Sequence, residues 1–338
     1  MHSGLRILSA ASLDEMKTES SPIFESSTAP PQATHAPAMA STRMARKILT
    51  DPDYILRAWA AILIVAATDL IWARHAGLKF TGIGVAVPAV AMFAAVGLFF
   101  DRTGRTPQIA EAAHYCALWI AFGVALAIYS YVVATLRMPM CDLQFAKMDA
   151  ALGFNWAAGF DAVMSSRWIF RYALSHAYNS IYFQVFASIG YFAMIRRTDR
   201  MRELFWIGIL SAFIASTLAG VFPALGPFIN GDIPSCSAVL ASIRDGSVTQ
   251  FALRDLTGIV AFPSFHTVLA LLLIYVHRPP LWTFVPALIL NALMLVATPF
   301  AGHHYLVDLI AGAVVAAISI AIVELAMRPR SVAQPQAV

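Results

Sequence analysis

The chain has 338 residues, of which 59% are hydrophobic and only 12% are charged, with a formal net charge of +4. Together with a mean hydropathy of +0.70, this composition excludes a water-soluble globule and predicts an all-α, polytopic membrane protein. The sequence has no GxxxxGK phosphate loop, no dinucleotide-binding GxGxxG and no nucleic-acid motif. We therefore expect no nucleic-acid partner.

Residues 1–42 differ from the rest of the chain, because they are rich in Ser, Thr, Ala and Pro and have no apolar periodicity. Such a segment cannot bury enough surface to offset its chain entropy, so we predict a disordered cytoplasmic tail. It lacks the apolar core of a signal peptide, and we expect it to remain attached. Residues 328–338 are predicted to form a second, shorter cytoplasmic tail.

Between the tails, apolar runs predict a helical bundle of about eight transmembrane helices. Two N-terminal helices fall within residues 43–112, and six form a core over residues 113–327. The expected spans are 54–73, 80–100, 113–136, 169–195, 203–222, 263–277, 281–300 and 304–327. Residues 138–168, between the third and fourth spans, are predicted to lie on the membrane surface as an amphipathic segment.

Lysine and arginine residues predict the orientation of this bundle. Twelve of them cluster at the span ends on one side, whereas seven are spread over the longer loops of the other side. By the positive-inside rule, both termini are cytoplasmic and the loops before the sixth and eighth spans face outside. The Ala-rich spans suit a bacterial inner membrane, in which these loops would face the periplasm.

Two stretches carry ionisable side chains at the heads of spans: FPSFHT, which contains His266, and TPFAGHHYLVD, which contains His304 and Asp308. Because the chain crosses the membrane twice between them, the three side chains should meet at one face. His304 and Asp308 are one helical turn apart, so the carboxylate can fix one imidazole nitrogen and leave the other as a nucleophile. His266 can then protonate the leaving oxygen.

At these residues the chain resembles the type 2 phosphatidic acid phosphatase superfamily. Pro263, Ser264 and His266 match its Pro-Ser-Gly-His motif, and His304 and Asp308 match its His-x-x-x-Asp motif. The His-Tyr-x-x-Asp form, with Tyr305, is closer still to inositol phosphorylceramide and sphingomyelin synthases, a lipid phosphotransferase branch. The segment 222–227 is similar to bacterial relatives of that branch. The resemblance implies a six-helix core and cofactor-free, metal-independent catalysis through a phosphohistidine on His304.

The chain also departs from the family pattern. Phe265 replaces the motif glycine, Ala297 and Thr298 stand where Ser-Arg is expected, and the first motif, Lys followed by Arg-Pro, has no match. A transferred phosphoryl group needs its negative charge compensated, so we nominate Arg244 and Arg254 of the loop 223–262 as substitutes. An equally good interpretation is that both arginines are solvated side chains of the loop with no role in binding.

Further candidate substrate-binding residues are Ser264, His303, Tyr305 and His176. His303 could also be the nucleophile in a shifted register, although only His304 has a carboxylate four residues on. Three histidines and an aspartate could hold zinc, but no His-x-x-x-His or Cys-x-x-Cys pair supports a metal site. Cys141 and Cys236 both fall in predicted outside loops, where a disulfide is one hypothesis.

We therefore predict a lipid phosphotransferase that acts on a membrane phospholipid, with a second lipid alcohol as the acceptor. If the acceptor is water, the protein is instead a lipid phosphate phosphatase. A third reading, a transporter that uses the buried His and Asp as a proton relay, would be favoured by inverted repeats with Gly or Pro breaks. No such repeat is visible in the sequence.

Overall fold

The computed structural model describes residues 52–82, 84–228 and 235–327. The two predicted tails lie outside these residues. Within the described part the chain is helical, as predicted, with twelve α-helices and two strands of three residues each. The helices are α1 Pro52–Ala76, α2 Ala86–Thr103, α3 Pro107–Ala134, α4 Asp142–Ala151, α5 Trp156–Ser165, α6 Trp168–Asn179, α7 Ile181–Met194, α8 Thr198–Val221, α9 Ser235–Asp245, α10 Phe265–Val276, α11 Leu281–Ala301 and α12 Leu306–Met327.

Six of the described helices are long and apolar enough to cross a membrane, namely α1, α2, α3, α8, α11 and α12. Two more apolar helices, α7 and α10, are shorter. The chain is thus an integral membrane protein, and all eight apolar helices overlap the predicted spans.

The fourth predicted span, residues 169–195, is divided in two at Ser180. The hydroxyl of Ser180 donates to the carbonyl of Ala177 at 2.7 Å, which is the carbonyl that the backbone N–H of Ile181 would use in a continuous helix. Such side-chain bonding to the preceding turn bends helices. The shorter helices α6 and α7 result, and α6 packs against α11.

The strand β1, Lys79–Thr81, occupies the start of the second predicted span, so α2 begins only at Ala86. It pairs in parallel with β2, Gln250–Ala252, and its Phe80 ring lies 6.1 Å from that of Phe251. An all-helical prediction could not include this pair, because three residues are too few to show a strand period. The pair ties the α1–α2 connection to the long loop that leads into α10.

Helix α3 is the central element of the bundle, since it packs against α1, α2, α7 and α8. Helix α10, although short, is enclosed by α8, α11 and α12. The approach of α12 to α10 depends on Gly312, where a Cβ atom would lie only 2.6 Å from the carbonyl oxygen of Ser264. The predicted surface segment, residues 138–168, forms α4 and α5, which contact α12 and α11 respectively.

Candidate active site

A cavity of about 480 Å³ lies between α3, α6, α7, α8 and α10. One end of it is lined by the imidazoles of His266, His303 and His304, and most of the remaining wall is apolar. Its volume falls in the range of small-molecule sites in proteins, roughly 300–1,000 Å³. The structure therefore brings the two histidines predicted to be catalytic to one cavity, together with His303.

His304 and Asp308 form the predicted pair. Both are buried, and the Nδ1 atom of His304 lies 3.2 Å from Oδ2 of Asp308. The same carboxylate oxygen accepts the backbone N–H of Tyr305 at 2.9 Å. An ionised carboxylate can only accept, so Nδ1 carries the proton and Nε2 keeps its lone pair. In the described part of the chain, Nε2 of His304 has no hydrogen-bond partner.

His266 lies in the first turn of α10, which Ser264 caps by accepting the N–H of Thr267 at 3.4 Å. The imidazole stacks on the ring of Tyr178, with ring centroids 4.0 Å apart and an angle of 11° between the planes. Nothing in the sequence alone places Tyr178 beside His266. The stack fixes the orientation of His266 because a parallel aromatic contact restricts rotation of the ring.

Gly302 allows Tyr178 and His304 to approach each other. The Oη atom of Tyr178 and the Cδ2 atom of His304 each lie 2.7 Å from the position that a Cβ atom on Gly302 would occupy. Any larger residue at position 302 would collide with both side chains. Tyr178 therefore stacks on the imidazole of His266 and lies close to that of His304.

The two motifs are joined through their backbones. The N–H of Ser264 donates to the carbonyl oxygen of Asp308 at 3.0 Å. Ser264, which we expected to bind substrate, is fully buried and does not line the cavity. Its position indicates a structural role in holding the start of α10 against the start of α12.

Two acidic residues of α4, both missed by the sequence analysis, hold the neighbouring segments in place. Asp149 accepts the N–H groups of Leu306 and Val307 at 2.8 and 3.0 Å, at the N-terminus of α12. Asp142 accepts the N–H groups of Leu225 and Gly226.

Burial raises the pKa of the Asp142 carboxyl above its ordinary value, and the two backbone donors oppose this shift. The available signal was the spacing of Asp142 and Asp149, since residues seven apart share one face of a helix.

The loop 222–227 lies directly beside the histidines. Gly226 has a φ of +82°, and a Cβ atom there would collide with the carbonyl oxygen of His303. The Nδ1 atom of His303 donates to the carbonyl oxygen of Pro227 at 3.2 Å, so its Nε2 holds the lone pair when the ring is neutral. His303 is thereby fixed as part of the cavity wall.

The other predicted substrate-binding residues lie away from this cavity. The hydroxyl of Tyr305 donates to Asp142 at 3.4 Å, and burial raises the pKa of Tyr305 above its ordinary value. His176 is exposed and stacks on Tyr172 with 3.7 Å between ring centroids. Tyr178 and Tyr182 take its expected place in the wall.

The nominated arginines are not brought to the histidines either. Arg244 donates to the carbonyl of Met138, and Arg254 is exposed and paired with Asp255 at 3.4 Å. At the family's arginine position, Thr298 is fully buried and donates to the carbonyl of Met294. Among the described residues, no lysine or arginine lines the cavity.

Phe265, which replaces the motif glycine, contributes its ring to the apolar part of the wall.

Within residues 52–82, 84–228 and 235–327, no group of three His, Cys, Asp or Glu side chains has an arrangement that could hold a metal ion. Cys141 and Cys236 are free thiols, so the hypothesised bridge between them is not formed. Burial raises the pKa of the Cys141 thiol, and the nearby Asp142 carboxylate raises it further.

Comparison with known proteins gives one match. Residues 143–322, more than half of the chain, match a family model described as PAP2 superfamily. The matched segment contains His266, His303, His304 and Asp308. No curated protein and no solved structure was found to match the chain.

Proposed function

Because the chain belongs to the PAP2 superfamily, whose members are phosphatases or phosphotransferases, we propose that it is a lipid phosphotransferase. Its donor substrate is a phosphodiester head group of a membrane phospholipid, and its acceptor is an alcohol. This is the type of reaction catalysed by the inositol phosphorylceramide synthase-like branch, which the run 304–308 resembles.

The observation that carries this proposal is the absence of lysine and arginine from the described wall of a cavity that holds three imidazoles. A phosphomonoester carries about 1.5 to 2 negative charges at neutral pH, because its second pKa is near 6. A phosphodiester has no second ionisable proton and carries a single negative charge. Charge compensation in phosphoryl transfer usually comes from Arg, Lys or a metal ion. A site with imidazoles alone therefore suits a diester better than a monoester.

The first chemical step uses the His304–Asp308 pair. The lone pair on Nε2 of His304 attacks the phosphorus in line, forming a P–N bond while the P–O bond to the departing lipid alcohol breaks. The departing oxygen takes the bonding electrons and receives a proton from the protonated imidazole of His266. Asp308 supports the positive charge that develops on the His304 ring and keeps the proton on Nδ1.

The second step reverses these roles. His266, now neutral, accepts the proton of the acceptor hydroxyl as its oxygen attacks the phosphorus, and the P–N electrons return to Nε2 of His304. Water in place of the alcohol would give a phosphatase. His303 faces the same space and can donate to a non-bridging phosphoryl oxygen when it is protonated.

The shape of the cavity supports a lipid as the donor. Tyr182 and Phe186 line the cavity and are also exposed, with 71% and 36% of their surface accessible. The cavity therefore opens sideways, where a bilayer lipid could enter without leaving the membrane. From the charge bias of the loops, we place the head-group end on the extracytoplasmic face, which would be periplasmic in a bacterial inner membrane.

The experiment that tests this proposal measures the products of purified protein in nanodiscs containing head-group-labelled phospholipids, with and without ceramide or diacylglycerol. The proposal predicts a new labelled phospholipid that forms only with an acceptor and disappears in His304→Ala. The His176→Ala variant, which changes an exposed histidine outside the cavity, serves as the matched control and should retain activity. Release of inorganic phosphate from phosphatidic acid, without transfer, would replace the proposal by a phosphatase. An ion flux that needs no phospholipid would favour the transporter.

A further inference from the structure

We propose that the apolar arm of the catalytic cavity measures the hydrocarbon chain of the lipid substrate, and that Trp119, seated against Gly208, is its end wall. The apolar arm is the part of the cavity that runs along one face of α3 from Ser130 to Trp119. The inference rests on the proposed function for the phosphoester at the histidine end. It adds a prediction of the length of the hydrocarbon chain that the protein accepts.

The length of the arm follows from the helix that forms it. Eight residues of α3 between positions 119 and 130 line the wall. Among them, Trp119, Gly123, Leu126 and Ser130 follow one another at intervals of four, three and four, which keeps them on one helix face. At 1.5 Å per residue, this face extends about 16 Å. Its side chains are apolar except for the serine at one end and the indole N–H of Trp119 at the other, which has no hydrogen-bond partner among the described residues. The stretch between these two ends suits a hydrocarbon chain.

The contacts of Tyr131 show which end of the apolar arm lies near the histidines. Tyr131, adjacent to Ser130, accepts the N–H of Thr257 through its hydroxyl at 3.2 Å. Thr257 belongs to the loop that leads into the Phe262–His266 motif. Ser130 is therefore at the head-group end, and Trp119 closes the opposite, deep end.

The end wall is supported from behind. The indole of Trp119 meets the ring of Phe205 edge to face, with 6.2 Å between centroids, and Phe205 is completely buried. A ring packed at interior density cannot retract without opening a void. A longer chain thus cannot extend the arm by pushing Trp119 further into the core.

Gly208 sets the position of the wall from the side of α8. A Cβ atom at this position would lie 2.5 Å from Cη2 of Trp119, well inside contact distance. Replacing Gly208 by alanine must push the indole away from α8 and into the arm. Removing the indole must lengthen the arm. The two changes therefore act in opposite directions on one quantity, the longest chain that fits.

The test uses hydrolysis-resistant n-alkyl phosphonates, from octyl to octadecyl, and measures their affinities for the full-length protein in nanodiscs. The wild type should show an affinity optimum at one chain length. Trp119→Ala should move the optimum to longer chains, and Gly208→Ala to shorter ones, each by at least two methylene groups. The matched controls are Trp282→Ala, which changes an exposed tryptophan outside this cavity, and Gly190→Ala, whose Cβ would meet nothing within 4 Å. Both controls should keep the wild-type optimum.

A second measurement covers the case in which one of these variants does not fold. A phosphonate with bromine on its terminal carbon should quench indole emission in the wild type and lose most of that quenching in Trp119→Phe. Bromine next to the phosphonate lies at the histidine end, where the ring of Trp156 is 5.8 Å from that of His303, so any quenching it causes should be the same in the wild type and in Trp119→Phe.

The inference would be overturned if the optimal chain length did not move in Trp119→Ala and Gly208→Ala, or if quenching by the terminal bromine survived in Trp119→Phe. Since the phosphonates bind without turnover, a lack of phosphotransfer would overturn only the proposed function.

Discussion

Asp149 holds the N-terminus of α12, the helix that carries Asp308, and its replacement should show how much this contact contributes to stability. It is 3% exposed and accepts two backbone N–H groups, those of Leu306 and Val307. A hydrogen bond to a charged group contributes about 1.5–3 kcal/mol. Asp149→Asn keeps one acceptor oxygen and should lose about that amount, whereas Asp149→Ala should lose about 3–6 kcal/mol because both donors lose their partner.

The measurement is the free energy of unfolding by denaturant in detergent micelles, together with the turnover of each variant. We expect both the free energy of unfolding and the turnover to fall in the order wild type, Asp149→Asn, Asp149→Ala. Turnover should follow stability because Asp308 lies in the first turn of the helix that would shift. Asp161→Asn and Asp161→Ala, which change an exposed acid on the neighbouring α5, are the matched controls and should stay within about 0.5 kcal/mol of wild type. If Asp149→Ala were as stable as wild type, the two hydrogen bonds would not anchor α12.

Three further predictions follow from the contacts around the site. Gly312→Ala should cost about 1–3 kcal/mol of stability through overpacking against Ser264, and it should lower turnover. Gly190→Ala, where the added Cβ would meet open space, should do neither. Thermal unfolding and product assays would check both variants. Tyr178→Phe should keep most of the turnover because the stack on His266 survives. Tyr178→Ala should lower turnover about tenfold, since a stack that contributes about 1.4 kcal/mol corresponds to that factor. Equal rates in the two variants would contradict a role for the stack in orienting His266. Because the pKa of Asp142 is raised in the folded protein, this group contributes fully to stability below its unfolded pKa of about 3.9, and the contribution is lost as pH rises through the higher folded pKa. Asp142→Asn should therefore flatten the plot of unfolding free energy against pH across that window. An unchanged slope in the variant would count against this prediction.

The contact between His304 and Asp308 could be predicted because it is local. His304 and Asp308 lie one turn apart, and a spacing of four residues on a helix already determines that their side chains meet. The convergence of His266 with them needed only the number of membrane crossings between the motifs. These inferences depend on short-range periodicity and on the bilayer, and both can be read from sequence.

The remaining contacts of the site depend on tertiary packing, which local patterns do not specify. Tyr178 comes from a helix about 90 residues before His266, and nothing in its own segment distinguishes it from the neighbouring Tyr172. Arg244 was nominated because it lies in the loop before the second motif, yet the carbonyl of Met138 holds it elsewhere. The break at Ser180 is equally invisible in hydropathy, because a serine hydroxyl that bends a helix leaves the apolar run intact.

The most direct test of the central claim is to trap the covalent intermediate. Purified protein is incubated with a head-group-labelled phospholipid without acceptor and quenched in base, in which phosphohistidine is stable, and the adduct is then located by peptide mass spectrometry. The account predicts an adduct on His304 that retains the head group, is absent in His304→Ala and persists in His303→Ala. A bare phosphoryl group on His304 would indicate a phosphatase, and an adduct on His303 would contradict the assignment of the nucleophile. Turnover without any histidine adduct, even when the acceptor is withheld, would contradict the account itself.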